Sequence, residues 1–212
     1  ALDNASGTAA VLEVARAFTR QKEKPERTIL FLWVTAEEQG LLGSAWYATH
    51  PVFPPEKTVA DINLDVINAT GPMKDISISG EGQSELEDIF AEIIKKQGRY
   101  IAPESRPEAG YYFRSDHFNF AKIGVPALTT DKGTEHVEKG RAYAEEKDKE
   151  WNEKYYHQPG DEYDPSRWDI RGALQDIQVM YEVGHRLAYG SEWPKWKEGS
   201  EFKAIREKSK AQ

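Results

Sequence analysis

"FLWVTAEEQGLLGS", residues 31–44, places a run of strand-forming side chains directly ahead of two adjacent glutamates and then a pair of glycines. Phe31, Leu32, Trp33 and Val34 are aromatic or aliphatic residues of the kind that fit a pleated surface covered on both faces. They read as a buried strand, with Glu37 and Glu38 at or just past its C-terminal end. A lone pair of glutamates in that position is most simply a solvated turn, so its meaning has to come from the rest of the chain.

Upstream, "LDNASGTAAVLEVARAFTRQ" sets Val11, Leu12, Val14, Ala15 and Phe18 at helical spacing, which predicts a helix from about Ser6 with Asp3 and Asn4 just ahead of it. Downstream, "GLLGSAWYATH" is a short helix stopped by Pro51, and Gly40 and Gly43 are expected to let the chain turn sharply after the glutamates. "TVADINLDVINAT" is a second strand with Asp65 towards its end, and "DISISG" alternates as a third. "SELEDIFAEIIKKQGR" is the most secure helix: Ser84 and Glu87 form a capping box, and Leu86, Ile89, Phe90, Ile93 and Ile94 share a face. "YYFRSDHFNFAKIGVPALTT" reads as a loop, a short helix and a strand over residues 125–130. The charged stretch 131–154 reads as a surface excursion. A last helix over 169–189 carries Ile170, Leu174, Ile177 and Tyr181 as its inner stripe, before a polar tail from about residue 192 anchored by Trp193 and Trp196.

Strands alternating with helices indicate an α/β protein, a three-layer α/β/α sandwich on a mostly parallel mixed sheet. Its 212 residues, 39% of them hydrophobic, suffice for one domain spanning 1–212. Ligands of such sheets bind beyond the carboxyl ends of the strands, where Asp3, Glu37, Glu38 and Asp65 are all placed to converge. The 28 Lys+Arg against 36 Asp+Glu give a net charge of −8, which argues against nucleic acid or an anionic membrane as partner. With no cysteine, any metal must be held by histidine and carboxylate. No apolar run approaches the ~20 residues of a membrane span, and oligomeric state is not encoded in any pattern here.

Five stretches in this order, "LDNASGTAAVLEVAR", "WVTAEEQGLLGSAWY", "INLDVI", "SDHFNFAKIGVPAL" and "YYHQPGD", resemble the M28 family of co-catalytic zinc peptidases over nearly the whole chain. The resemblance implies two zinc ions, a peptide substrate and a secreted or periplasmic home. By position it makes Asp3 the metal-bridging carboxylate, Glu38 and His157 the remaining ligands of one zinc, and Asp65 a ligand of the other. Glu37 would be the general base, and Tyr156 stands where similar enzymes present a side chain to the developing oxyanion. That accounts for the doubled glutamate: one carboxylate binds metal while its neighbour stays free to accept a proton. The family pattern also has an upstream histidine, in an HxD stretch, which has no counterpart here. The expectation is a fragment without the first strands of the sheet, with one full zinc position and one deficient one.

The implied activity is that of an aminopeptidase. A carboxypeptidase or a glutaminyl cyclase-like acyltransferase on the same fold remains open, as does a non-catalytic domain that has lost full metal binding. Asp116 and His117 are expected to be structural or to support the ligands, His50, His136 and His185 to be packing or surface residues, and Asp161 and Asp164 either to orient the histidine loop or to solubilise a turn.

Overall fold

The computed structural model describes residues 1–210. Helices α1 (Gly7–Thr19) and α2 (Leu42–Thr49) precede strands β1 (Asp61–Ile62) and β2 (Asp75–Ile78), which are followed by α3 (Leu86–Lys96) and β3 (Tyr100–Ala102). Then come α4 (His117–Lys122), β4 (Ala127–Leu128), β5 (Thr130–Lys132), α5 (Gly140–Lys154), α6 (Arg171–Tyr189) and α7 (Lys203–Lys210). β2 runs parallel to β3 and antiparallel to β5, and β1 pairs in parallel with β4. The mixed α/β architecture is therefore as expected.

Side chains alternate between two helical layers. Leu128 joins Ile76 and Ile78 in a core with Phe90, Ile93 and Ile94 of α3 and Val179, Met180 and Val183 of α6. Ala127, the neighbouring residue on the same strand, turns the other way to meet Tyr47 of α2 and Phe120 of α4. A third cluster brings Trp196 and Phe202 against Tyr112 and Ala121, and the Trp196 indole donates to the carbonyl of Gly124 at 2.9 Å. The segment from 192 onward is thus a packed element as well as a polar one.

Four local expectations are corrected. Residues 29–34 form no strand ladder among the described residues; they line one wall of an apolar cavity of about 510 Å³, with residues 58–65 opposite. The amides of Asp61 and Asn63 are donated to Pro126 and Leu128 on the β4 side, so the alternate residues turn their backbone groups towards that cavity. The charged stretch contains the 15-residue helix α5, held by spaced pairs such as Lys154 to Glu150 at 3.3 Å and Lys149 to Glu153 at 3.8 Å, where no apolar stripe marks it. On α6 the inner face is Ala173, Met180, Val183 and Leu187, while Ile170 and Leu174 are exposed. In α3 only half of the capping box forms: the Glu87 carboxylate accepts from the amides of Gly82, Gln83 and Ser84, and the Ser84 hydroxyl makes no bond.

Candidate functional site

The site lies where the sheet ends and three loops meet. Asp3 sits in the turn before α1 with a non-helical backbone (φ −104°, ψ 110°) that lets its carboxylate leave the helix axis. The amides of Leu2 and Asp3 are both donated to Asp161, at 2.9 and 3.0 Å, which resolves the alternatives for that aspartate in favour of an orienting role. Asp164 instead organises its own turn, accepting from the amide and hydroxyl of Ser166 and from Arg167. Gly7 packs so tightly that a β-carbon there would lie 2.3 Å from both the Asn4 side chain and the Asp65 carbonyl, so the N-terminus of α1 rests directly on the strand end that carries Asp65.

Glu37 and Glu38 occupy the irregular turn after residue 34. Gly40 supplies the left-handed backbone there (φ +100°), and Ala36 and Leu41 share it. Gly43 has a different task from the expected turn: it lies within α2, where a β-carbon would come 2.5 Å from the backbone of Thr35. His157 is itself left-handed (φ 55°), which swings its ring out of the 155–161 loop. Its Nε2 lies 2.7 Å from Glu38 Oε1 and 3.2 Å from Asp3 Oδ2. Asp3, Glu38 and His157 are the group of three metal-ligating side chains found among the described residues, each offering an atom within 4.8 Å of the others.

Two carboxylates and an imidazole suit zinc in ligand type, and the 45% exposure of the His157 side chain leaves the group open to the cleft. Asp65 borders the same cleft but stands outside that group, its carboxylate held by the hydroxyl of Ser115 at 2.9 Å. The family description "Peptidase family M28" matches residues 1–181. The chain belongs to peptidase family M28. It is 30% identical over 136 residues to leupeptin-inactivating enzyme 1 of Streptomyces exfoliatus (64% of this chain, 30% of that protein). It is 31% identical over 183 residues to leucine aminopeptidase 2 of Arthroderma otae (76% and 34%). Among solved structures it superimposes on an aminopeptidase from Aneurinibacillus sp. strain AM-1 with TM-score 0.63 and 22% identity, covering 90% of this chain and 40% of that one. LapA aminopeptidase of Legionella pneumophila gives TM-score 0.61 and 20% identity, over 90% and 47%. The chain spans about a third of the length of the curated relatives it matches.

Within this M28 chain the acids of the cleft are set apart by their electrostatics. Burial, followed by the negative charges of Asp65 and Glu38, pushes the Glu37 carboxyl up to about 7. Asp3 is raised by burial and by Glu38, with His157 pulling it back. Burial also raises Asp65, against the hydrogen bond from Ser115. Tyr156 stacks on His157 with ring centroids 3.8 Å apart, and burial together with Asp3 and Glu38 keeps its hydroxyl protonated further into alkaline pH. The structure therefore brings five of the six sequence-predicted residues to the lining of one cleft, and the sixth, His157, into direct contact with Asp3 and Glu38.

Sequence reasoning missed Ser115. It links Asp65 to Asn63, whose amide nitrogen donates to the Ser115 hydroxyl at 3.0 Å. In "RSDHF" the serine stands ahead of two residues, Asp116 and His117, whose chemistry is the more conspicuous. Asp116 accepts from the Ser44 hydroxyl, which in turn accepts from Asn119 at 2.8 Å, and so ties α2 to α4 behind the site. His117 is fully buried, edge-on to Tyr112 at 4.9 Å.

Proposed function

We propose that this chain carries the hydrolytic site of a zinc-dependent aminopeptidase. The observation that carries the reading is the convergence of Asp3, Glu38 and His157, with Glu37 beside them, outside that group, and raised into the range of a neutral-pH base. Asp3, Glu38 and His157 would hold one zinc, and Asp3 and Asp65 would face a second. When bound, zinc polarises a carbonyl and lowers the pKa of water to about 7.

The chain's own residues do the rest. Glu37 accepts a proton from the attacking water and hands it to the leaving amine, a transfer favoured when the carboxyl titrates near working pH. Tyr156, kept protonated, donates to the oxygen on which charge develops. The carboxylates of Asp3, Glu37 and Asp65, crowded in one cleft, favour a free, cationic substrate amine on this side of it. No described helix is long and apolar enough to cross a membrane.

The test is zinc per chain after dialysis, followed by assays on a leucine anilide, a peptide with a blocked N-terminus and an N-terminal glutamine peptide. We expect nearer one zinc than two, because among the described residues the position facing Asp3 and Asp65 has no imidazole beside it, and hydrolytic release from the free-amine substrates but not from the blocked peptide, without cyclisation of the N-terminal glutamine. Glu38→Ala and His157→Ala should each lower zinc content before anything else. Unchanged occupancy in both would reject the ligand assignment, and cleavage confined to the blocked peptide would reject the aminopeptidase.

A further inference from the structure

The cleft that holds the acids is also lined by basic side chains, interspersed with Glu104, Asp131, Glu145 and Asp148. Four basic side chains border it: Arg106, Arg114, Lys132 and Arg141. Two are engaged. Lys132 is bound to Asp148 at 2.6 Å, and Arg141 donates to the Thr134 hydroxyl with Glu135 at 3.8 Å. Arg106 and Arg114 form no ion pair or hydrogen bond to any acid among the described residues, although Asp131 lies within reach of the Arg106 charge. Both guanidiniums lie against the one ring of Tyr111, at 5.5 and 5.9 Å from its centroid.

Both guanidiniums are drawn to the one ring by its quadrupole, and both side chains are exposed to solvent. Each planar fork retains donors matched to a carboxylate. The Arg114 charge is felt at the Tyr156 hydroxyl, and the Tyr156 ring stacks on His157, so the cationic pair borders the acidic end of the cleft.

We infer that Arg106 and Arg114, clasped on Tyr111, form a carboxylate-binding subsite that makes short zwitterionic or acidic peptides the preferred substrates of this cleft. The inference rests on the aminopeptidase reading and deepens it. A peptide with its amine among Asp3, Glu37 and Asp65 runs towards the arginines at about 3.3–3.6 Å per residue. Its anionic group, whether the C-terminal carboxylate of a di- or tripeptide or an acidic side chain after the first residue, then meets the two forks. The attraction of the two unpaired guanidiniums for that anionic group weakens with salt.

Binding is measured by calorimetry on the full chain in EDTA, so that neither metal nor turnover enters the readout. The probes are leucyl-glutamate, leucyl-glutamine, leucyl-glutamate amide and leucyl-glutamine amide. The doubly amidated peptide should bind about tenfold more weakly than leucyl-glutamate at low salt, and the gap should shrink at 0.5 M NaCl. Leucyl-glutamine and leucyl-glutamate amide separate the two sources: the one whose affinity stays near that of leucyl-glutamate carries the carboxylate that is bound. Arg106→Gln/Arg114→Gln should erase the gap, and Arg106→Lys/Arg114→Lys should restore part of it, with thermal midpoints unchanged because both side chains are exposed. Equal affinity for all four peptides, or a gap that persists in the glutamine variant, overturns the subsite whatever the fate of the hydrolytic reading. A charge-dependent gap in a chain that never hydrolyses the leucine anilide upholds the subsite and rejects the activity alone.

Discussion

Asp75 and Glu37 are both carboxylates drawn in from solvent, and the protein surrounds them in opposite ways. Asp75 is fully buried and accepts from the Thr134 amide at 3.0 Å, the Thr134 hydroxyl at 2.9 Å and the Glu135 amide at 2.8 Å. Gly133 makes that approach possible, since a β-carbon there would come 2.6 Å from the Asp75 carboxylate. The Glu37 carboxylate receives no hydrogen bond among the described residues and faces Asp65, Glu38, Asp116 and Asp3 instead. The histidines repeat the contrast. His136 is fully buried with Nδ1 accepting from the amides of Glu138 and Lys139, while His157 is half-exposed and aimed at two carboxylates. A charge given enough donors is a structural part, and a cluster of like charges left without donors waits for a cation.

The sharpest way to break this contrast is Glu37→Gln, which removes the proton acceptor and keeps the shape. Turnover should fall by about 10²–10⁴-fold with zinc content unchanged. Near-normal turnover would mean that Glu37 is an ordinary cleft acid.

His117 offers the next largest effect and concerns stability alone. Burial pushes its imidazole down from 6.5 to about 4. Between those values the unfolded chain binds a proton that the folded chain refuses, so stability is fully present above pH 6.5 and declines as pH falls towards 4. The gap corresponds to about 3 kcal/mol. Urea titrations across that range should show His117→Phe losing less stability than the parent by about this amount, and parallel curves would place the ring in a less apolar setting.

Asp75→Asn should cost about 2–3 kcal/mol, because an amide nitrogen now confronts backbone donors. Zinc bound per folded chain should stay the same, and a loss of zinc without a loss of stability would merge the two classes of acid that the comparison separates. Ser115→Ala is the mildest case, expected to leave zinc per chain near one and to lower turnover about tenfold through the loosened Asp65 carboxylate, with little change in melting temperature.

Much of the site could be read from residues alone, because Asp3, the Glu37–Glu38 pair, Asp65 and His157 each lie in a stretch whose order is distinctive. Ser115 escaped because a serine carries no such signature; its role exists only through Asn63 and Asp65, which are 52 and 50 residues away. The helix α3 was legible from its apolar face and Glu87, whereas α5 was hidden because its pairs are all charged and periodicity looks for apolar side chains. Strand propensity in residues 29–34 was real, but a ladder needs a neighbour at hydrogen-bonding distance and none is placed there among the described residues. On α6 the stripe is displaced because Leu174 and Ile170 are the larger side chains, while the core shared with α3 takes Met180, Val183 and Leu187.

Asp161 lies four residues after His157, and that short spacing makes the 155–161 loop a single mechanical part. It presents the imidazole at one end and, at the other, grips the amides of Leu2 and Asp3. Lifting the loop would withdraw the imidazole and unfasten the backbone of Asp3 in the same movement. The exchange of the Leu2 and Asp3 amides with deuterium thus becomes a clock for this loop, slowed whenever the loop is seated.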